Sequence, residues 1–352
     1  MQQHQIDTGP QHEQWGARGR FRSLNPANQL GTGKVPADQV SVIIPAYNAA
    51  LYIKETIESV FAQTYPHYQV IVVNDGSPDT PALEQVLLPY THRVTYIKQE
   101  NRGPSGARNR GLRAATGNLV AFLDADDIWR PNYLEEQTKF LHEHPEYDLV
   151  YCNARIFGDT VHDGEEYMAI CPSEGEATSA AIISHRCHVF GLVTARTEVL
   201  RAVAFDESIR ASEDFDCWVR FTAAGHRIGY HRKILVLYRK HAASASANST
   251  RMAEYNIQVL TKSLALWPHD SEEVQLLLQA REKTVAQLET IRGKLALLNQ
   301  DVPAAVAHFR AANTYYKSVK KSTVIFLLKL APRLVGVVFR LRRLLFRAYR
   351  NE

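Results

Sequence analysis

Cysteine is scarce: four in 352 residues, Cys152, Cys171, Cys187 and Cys217, with no Cys-x-x-Cys pair. That spacing excludes a paired-cysteine metal or redox motif, and a chain this long needs no disulfide staples. Reduced thiols in a cytoplasmic setting are therefore expected. Long apolar runs are missing too. Met1-Gln-Gln-His-Gln-Ile-Asp7 has no apolar stretch of the kind a signal peptide carries. Val324–Leu328 is apolar, but Lys329, Pro332 and Arg333 cut it short of the roughly twenty residues a membrane span needs. The net charge of +4 is small, and the basic residues crowd the last thirty or so positions. A nucleic-acid binder with a broad basic face is excluded, and a basic tail with its own partner is favoured. No Gly-x-Gly-x-x-Gly follows the first apolar run, which excludes a dinucleotide oxidoreductase. Pro45-Ala-Tyr-Asn48 stands where a nucleotidyltransferase would carry a lysine-bearing glycine loop, and no Ser-His-Asp or Cys-His arrangement offers a nucleophile.

What is present is an ordinary globular composition, 45% hydrophobic and 22% charged, in a chain longer than one average domain. Short apolar runs at Val40–Pro45, Val70–Val73, Val94–Ile97 and Leu119–Leu123 predict buried parallel strands. Ile53, Ile57, Val60 and Phe61 recur at helical spacing, a helix follows Pro104, and Pro131 opens another. Strands alternating with helices predict an α/β fold with a mostly parallel sheet. Further helices are expected near Thr197–Val203 and Glu213–Ala224, a strand near Ile234–Tyr238, and a loop over 158–176. Ala242–Thr250 reads as a linker and 251–315 as wholly helical. Within it, Asp301–Ala312 resembles one unit of a helical repeat, but a single unit predicts only a hairpin packed on the main domain.

Five motifs stand in order: Ser41-Val-Ile-Ile-Pro-Ala-Tyr-Asn48, Val72-Val-Asn-Asp-Gly-Ser-Pro-Asp79, Asn101-Arg-Gly-Pro-Ser-Gly-Ala-Arg-Asn-Arg-Gly111, Phe122-Leu-Asp-Ala-Asp-Asp127 and Ser212-Glu-Asp-Phe-Asp-Cys-Trp-Val-Arg-Phe221. The first four place polar, Gly-rich or acidic residues just after an apolar run, which is how an open α/β sheet builds a ligand crevice. The series resembles the family 2 glycosyltransferases. That resemblance, over about 39–245, implies the GT-A nucleotide-sugar-binding fold.

Each chemical need of a sugar transferase has a match. After Pro45 and Ala46, Tyr47 offers a flat face to a base, or is simply a half-buried loop aromatic. Asp75 can accept from a uracil N–H, the role its position has in the resembled family, or cap a turn before Gly76. Gly103 and its neighbours allow close backbone approach to phosphate at a helix start, where Arg108 is either an anion donor or half of a surface ion pair. Asp124, Asp126 and Asp127 crowd like charges, either as a solvated loop or as a place for Mg²⁺ or Mn²⁺. The resemblance puts Asp124 near the ribose and Asp126 on the metal, and it matches His241 to a metal- or diphosphate-site histidine, an ordinary surface histidine being the other reading. Glu213 and Asp214 suit the positive end of a helix on any account. In the resembled family the second of such a pair deprotonates the acceptor, so Asp214 is the expected base, with Glu213 in support and inversion at the anomeric carbon.

Leu334, Val337, Val338, Leu341, Leu345 and Ala348 alternate with arginines at helical spacing. They predict an amphipathic helix lying on anionic lipid, or else packed on the protein. The expected layout is a disordered segment 1–36, a GT-A domain 37–245, a helical extension 246–320 and a membrane-associating helix 321–352. The protein would be cytoplasmic and peripheral to the membrane, using a UDP-sugar and a glycan or lipid-linked acceptor. A nucleotidyltransferase and a non-catalytic nucleotide- or glycan-binding module are the alternatives.

Overall fold

The computed structural model describes residues 39–244 and 247–331. The predicted disordered segment and all but the start of the predicted membrane helix lie outside the described residues. Eight strands form one sheet: β1 Val40–Ala46, β2 Tyr68–Asp75, β3 Val94–Gln99, β4 Leu119–Phe122, β5 Ile128–Trp129, β6 Leu149–Gly158, β7 Val193–Arg196 and β8 Ile228–Lys240. Their order is β3-β2-β1-β4-β7-β6-β8-β5. β1 pairs in parallel with β2 and β4, and β2 with β3. β7 runs antiparallel to both β4 and β6, β5 antiparallel to β8, and β6 is parallel to β8. The sheet is thus mixed and mostly parallel.

Around it pack α1 Ile53–Phe61, α2 Thr80–Leu87, α3 Gly103–Ala114, α4 Tyr133–Glu143, α5 Tyr167–Ile170, α6 Ser179–Ile183, α7 Thr197–Val203 and α8 Glu213–Ala223. Four more follow: α9 Ser249–Ser263, α10 Glu272–Leu298, α11 Val302–Tyr316 and α12 Val319–Leu330. The parallel strands are buried on both faces, so the core is their continuous apolar runs: Val40, Val42, Ile43 and Ile44 of β1 and Ile71, Val72 and Val73 of β2 are all 0% exposed. Gly111 lets α3 sit close on this sheet, since a Cβ there would lie 2.3 Å from Ile43 Cγ2. Leu260 of α9 and Leu277 of α10 belong to the same core, so the extension is continuous with the sheet's packing. Leu297, Ala305, Val306, Phe309, Ile325 and Leu328 form a second, smaller cluster.

Several expectations need adjusting. Pro131 does not open α4. It stands before the cap Asn132 in a turn, its carbonyl accepting the Thr64 N–H at 2.8 Å. The region 158–176 contains α5. Elements α2, β6 and β7 were not anticipated, and β8 is far longer than Ile234–Tyr238. Because β1, β2, β3 and β4 run parallel, the loops carrying Tyr47, Gly76, Arg102 and Asp124 gather outside one edge.

Candidate active site

On the nucleotide side, the loop after β1 is tied to the loop after β2. Asn48 N–H donates to Ser77 Oγ at 2.7 Å and Ala50 N–H to Asp79 Oδ2 at 2.9 Å. Asn48 takes a left-handed conformation, φ 53°, which asparagine tolerates. The turn leaves Tyr47 52% exposed, beyond Pro45 and Ala46 at the end of β1. Asp75 ends β2 nearly buried. Its Oδ1 accepts from Gln99 Nε2 at 2.7 Å and from the Arg102 backbone N–H at 2.9 Å, while its Oδ2 takes no described bond. Gly76, at φ +62°, packs so tightly that a Cβ would meet Asn101 N at 2.7 Å. Gly103, at φ +76°, opens α3 and leaves first-turn N–H groups at the helix's positive end.

Five residues along α3, about 7.5 Å of rise, stands Arg108. It is 4% exposed and bridges two motifs: Nη2 donates to Asp124 Oδ1 at 2.9 Å and Nη1 to Glu213 Oε1. Its charged form is strongly favoured, because Asp124, Glu213 and Asp214 together outweigh the cost of burial. Arg102, just before Gly103, pairs with Glu207 at 2.7 Å and is largely exposed.

The three aspartates part company. Asp124 and Asp126 stay accessible, whereas Asp127 turns inward, fully buried, its Oδ1 accepting from the Arg239 N–H at 2.7 Å. Burial first, then the charges of Asp126 and Asp124, push its carboxyl well above the usual range. Asp126 Oδ2 meets His241 Nε2 at 2.9 Å, and that ring lies 4.7 Å from Tyr52. Burial and then Asp124 raise the Asp126 carboxyl also. Arg239 fastens this corner, donating from Nε to the Asp126 carbonyl at 2.7 Å and from Nη2 to Glu55 at 2.7 Å.

On the opposite wall, α8 begins at Glu213. Its cap, Ser212, is left-handed at φ 58° without being glycine, which costs about 1–3 kcal/mol, and its hydroxyl is buried with no hydrogen-bond partner. Trp218 and Phe221 anchor the helix in the core, both 0% exposed. Asp216 holds it from the side, bonded to Arg220 at 2.8 Å and to Lys262 of α9 at 2.9 Å. Asp214 is half-buried, and its carboxyl is pushed up to about 7, by burial first and then by Glu213, with Arg108 pulling the other way. A Cβ on Gly191 would lie 3.9 Å from Asp214 Oδ2 and 3.1 Å from Arg108 Nη2.

Arg108 thus links Asp124 and Glu213 directly and acts on Asp214 only through its charge, Asp126 and His241 form a pair beside Asp124, and Asp75 with Gly103 marks the other end of α3. Gly191, Arg239 and Tyr167, whose hydroxyl is held neutral by burial and by the nearby Cys171 and Asp214, complete the site and were not anticipated. Arg239 lay within Tyr238-Arg-Lys-His241, where an arginine two residues before a site histidine was a usable signal. The other two lie where no periodicity pointed.

The family model described as "Glycosyl transferase family 2" matches residues 41–200. The uncharacterized glycosyltransferase RP339 of Rickettsia prowazekii is 31% identical over 222 residues, 61% of this chain and 68% of its own. Among solved structures, Staphylococcus aureus TarS 1–349 in complex with UDP-GlcNAc has a TM-score of 0.58 at 19% identity, covering 79% of this chain and 91% of that one. The mannosyltransferase PcManGT of Pyrobaculum calidifontis, in complex with GDP-Man and Mn²⁺, has a TM-score of 0.54 at 19% identity, covering 88% and 90%. At such identities the two structures are matches of fold.

Proposed function

The chain belongs to glycosyltransferase family 2, and on that premise we propose an inverting, metal-assisted transferase that moves sugar from a UDP-sugar to a hydroxyl of a glycan or lipid-linked acceptor. One observation carries the reading: buried Arg108 ties Asp124, on the nucleotide side, to Glu213, which opens the helix bearing Asp214. A donor lying along the first turns of α3 meets both.

The base stacks on exposed Tyr47, and Asp75 Oδ2 accepts an N–H from its edge, the N3–H in uracil. The diphosphate meets the α3 N-terminus. Asp214 then takes the proton from the acceptor oxygen as that oxygen bonds to the anomeric carbon. The bond to the diphosphate breaks on the opposite face, and inversion follows because no second carboxylate serves as nucleophile. Arg108 holds Glu213 in place through their ion pair, and burial first, then the charge of Glu213, raises the proton affinity of Asp214.

A divalent ion fits at Asp126 and His241. Burial first and then repulsion from Asp124 raise the Asp126 carboxyl, and a cation would relieve the repulsion. Among the described residues no cluster of three or more His, Cys, Asp or Glu is arranged for a metal. Asp126 and His241 would hold such an ion together with the donor's phosphate oxygens, a mixed set of ligands that suits Mg²⁺ or Mn²⁺. When bound, such an ion neutralises charge on the leaving diphosphate. TarS with UDP-GlcNAc and PcManGT with GDP-Man and Mn²⁺ support a nucleoside-diphosphate-sugar donor.

Membrane attachment is supported by α12. It leaves Val319 82%, Phe326 62% and Leu330 71% exposed beside Lys320 and Lys329, just before the arginine-rich tail. No described helix is long and apolar enough to cross a bilayer. The protein then works on the cytoplasmic face.

The test is a screen of UDP-, GDP- and dTDP-sugars for hydrolysis, with the released anomer followed by proton NMR. Turnover of UDP-sugars alone, lost on adding EDTA and giving the inverted anomer first, is expected. Preference for GDP- or dTDP-sugars refutes the UDP-sugar reading, and a retained anomer refutes single displacement.

A further inference from the structure

We propose that the rings of His185, His188 and Phe215 form a platform on which a pyranose ring of the acceptor lies, beside Asp214. The proposal rests on Asp214 as the base and names the chemistry of the acceptor it serves. The three rings form a nearly parallel stack drawn from separate places in the chain. His185 and His188 have centroids 5.3 Å apart at 24°, and His185 and Phe215 5.6 Å apart at 25°. Phe215 directly follows Asp214, and its N–H donates to Asp214 Oδ1 at 2.7 Å. The segment carrying both histidines runs on to Gly191, which abuts the same carboxylate. Platform and base are therefore joined at both ends.

The stack is built rather than incidental. His188 is fixed by its N–H to Ser173 Oγ at 3.1 Å and by Nδ1 lying 3.2 Å from the Pro172 carbonyl, a contact that requires the proton on Nδ1. His185 is exposed and follows α6 in the left-handed conformation, φ 58°, a place glycine fills without strain. The fold has no need of an imidazole there. Flat ring faces meet the C–H face of a sugar, and the ring nitrogens at their rim meet its hydroxyls. An acyl chain uses only the first of these.

His185→Gly removes the middle ring and relaxes the backbone, so its melting temperature should not fall. Saturation-transfer NMR is run on UDP with methyl α-glucopyranoside, methyl β-galactopyranoside and methyl β-N-acetylglucosaminide. The wild-type protein should saturate pyranoside ring protons, and His185→Gly and Phe215→Leu should each cut that signal about fivefold or more, with UDP signals unchanged. Pyranoside signals equal in wild type and His185→Gly, or absent in the wild type, overturn the platform. Absence of UDP signals counts instead against the donor reading, because the platform is judged on the pyranosides alone.

Discussion

In the proposed mechanism the chemistry turns on a buried cation shared among carboxylates. Arg108 satisfies Asp124 and Glu213, and Asp214, left outside that fork, keeps a proton to about pH 7. Only the carboxylate form accepts the acceptor's proton. With the folded value raised, the active form accumulates as pH climbs through about 7 and is lost below it. We expect kcat/KM to fall tenfold per pH unit on the acid side, with a midpoint near that value. A profile flat down to pH 5 would remove Asp214 from the base role. Crowded aspartates were legible in the sequence, but their division was not. Asp127 faces inward only because β8 runs alongside and offers the Arg239 N–H, and β8 is distant in sequence.

Helix α3 is the part of the scaffold on which both halves of the site depend. Gly111→Ala sets a methyl against Ile43 in a full core, and overpacking of that kind costs about 1–3 kcal/mol. A lower thermal midpoint, together with weaker UDP binding as the N-terminus of α3 shifts, is the expected result. Wild-type values for both would show that the close approach is dispensable. The strands β1 to β4 could be read because parallel strands buried on both faces are uninterrupted apolar runs. β6 was hidden by Asn153 and Arg155 within it and by the register shifts around Asn153 where it pairs with β8. β7 has four residues, two of them polar, and α2 is two turns behind a Ser-Pro-Asp turn. Such elements are set by their neighbours rather than by local pattern.

The extension is no separate body, since α9 and α10 lend Leu260 and Leu277 to the sheet's core and Lys262 bonds Asp216 of α8, the helix that carries Asp214. Its far end, α12, is the exposed apolar and basic part. Phe326→Glu with Leu330→Glu spares the packed Ile325 and Leu328. The pair of changes should sharply reduce sedimentation with phosphatidylglycerol vesicles, and undiminished sedimentation would contradict attachment through α12. Convergence of the nucleotide side and α8 on one substrate is the central claim, and Asp214→Asn tests it most directly when UDP affinity by calorimetry and sugar transfer are measured on one preparation. The account predicts unchanged UDP affinity with turnover lowered by about 10²–10⁴-fold, the range for loss of a general base. Turnover close to wild type would contradict it.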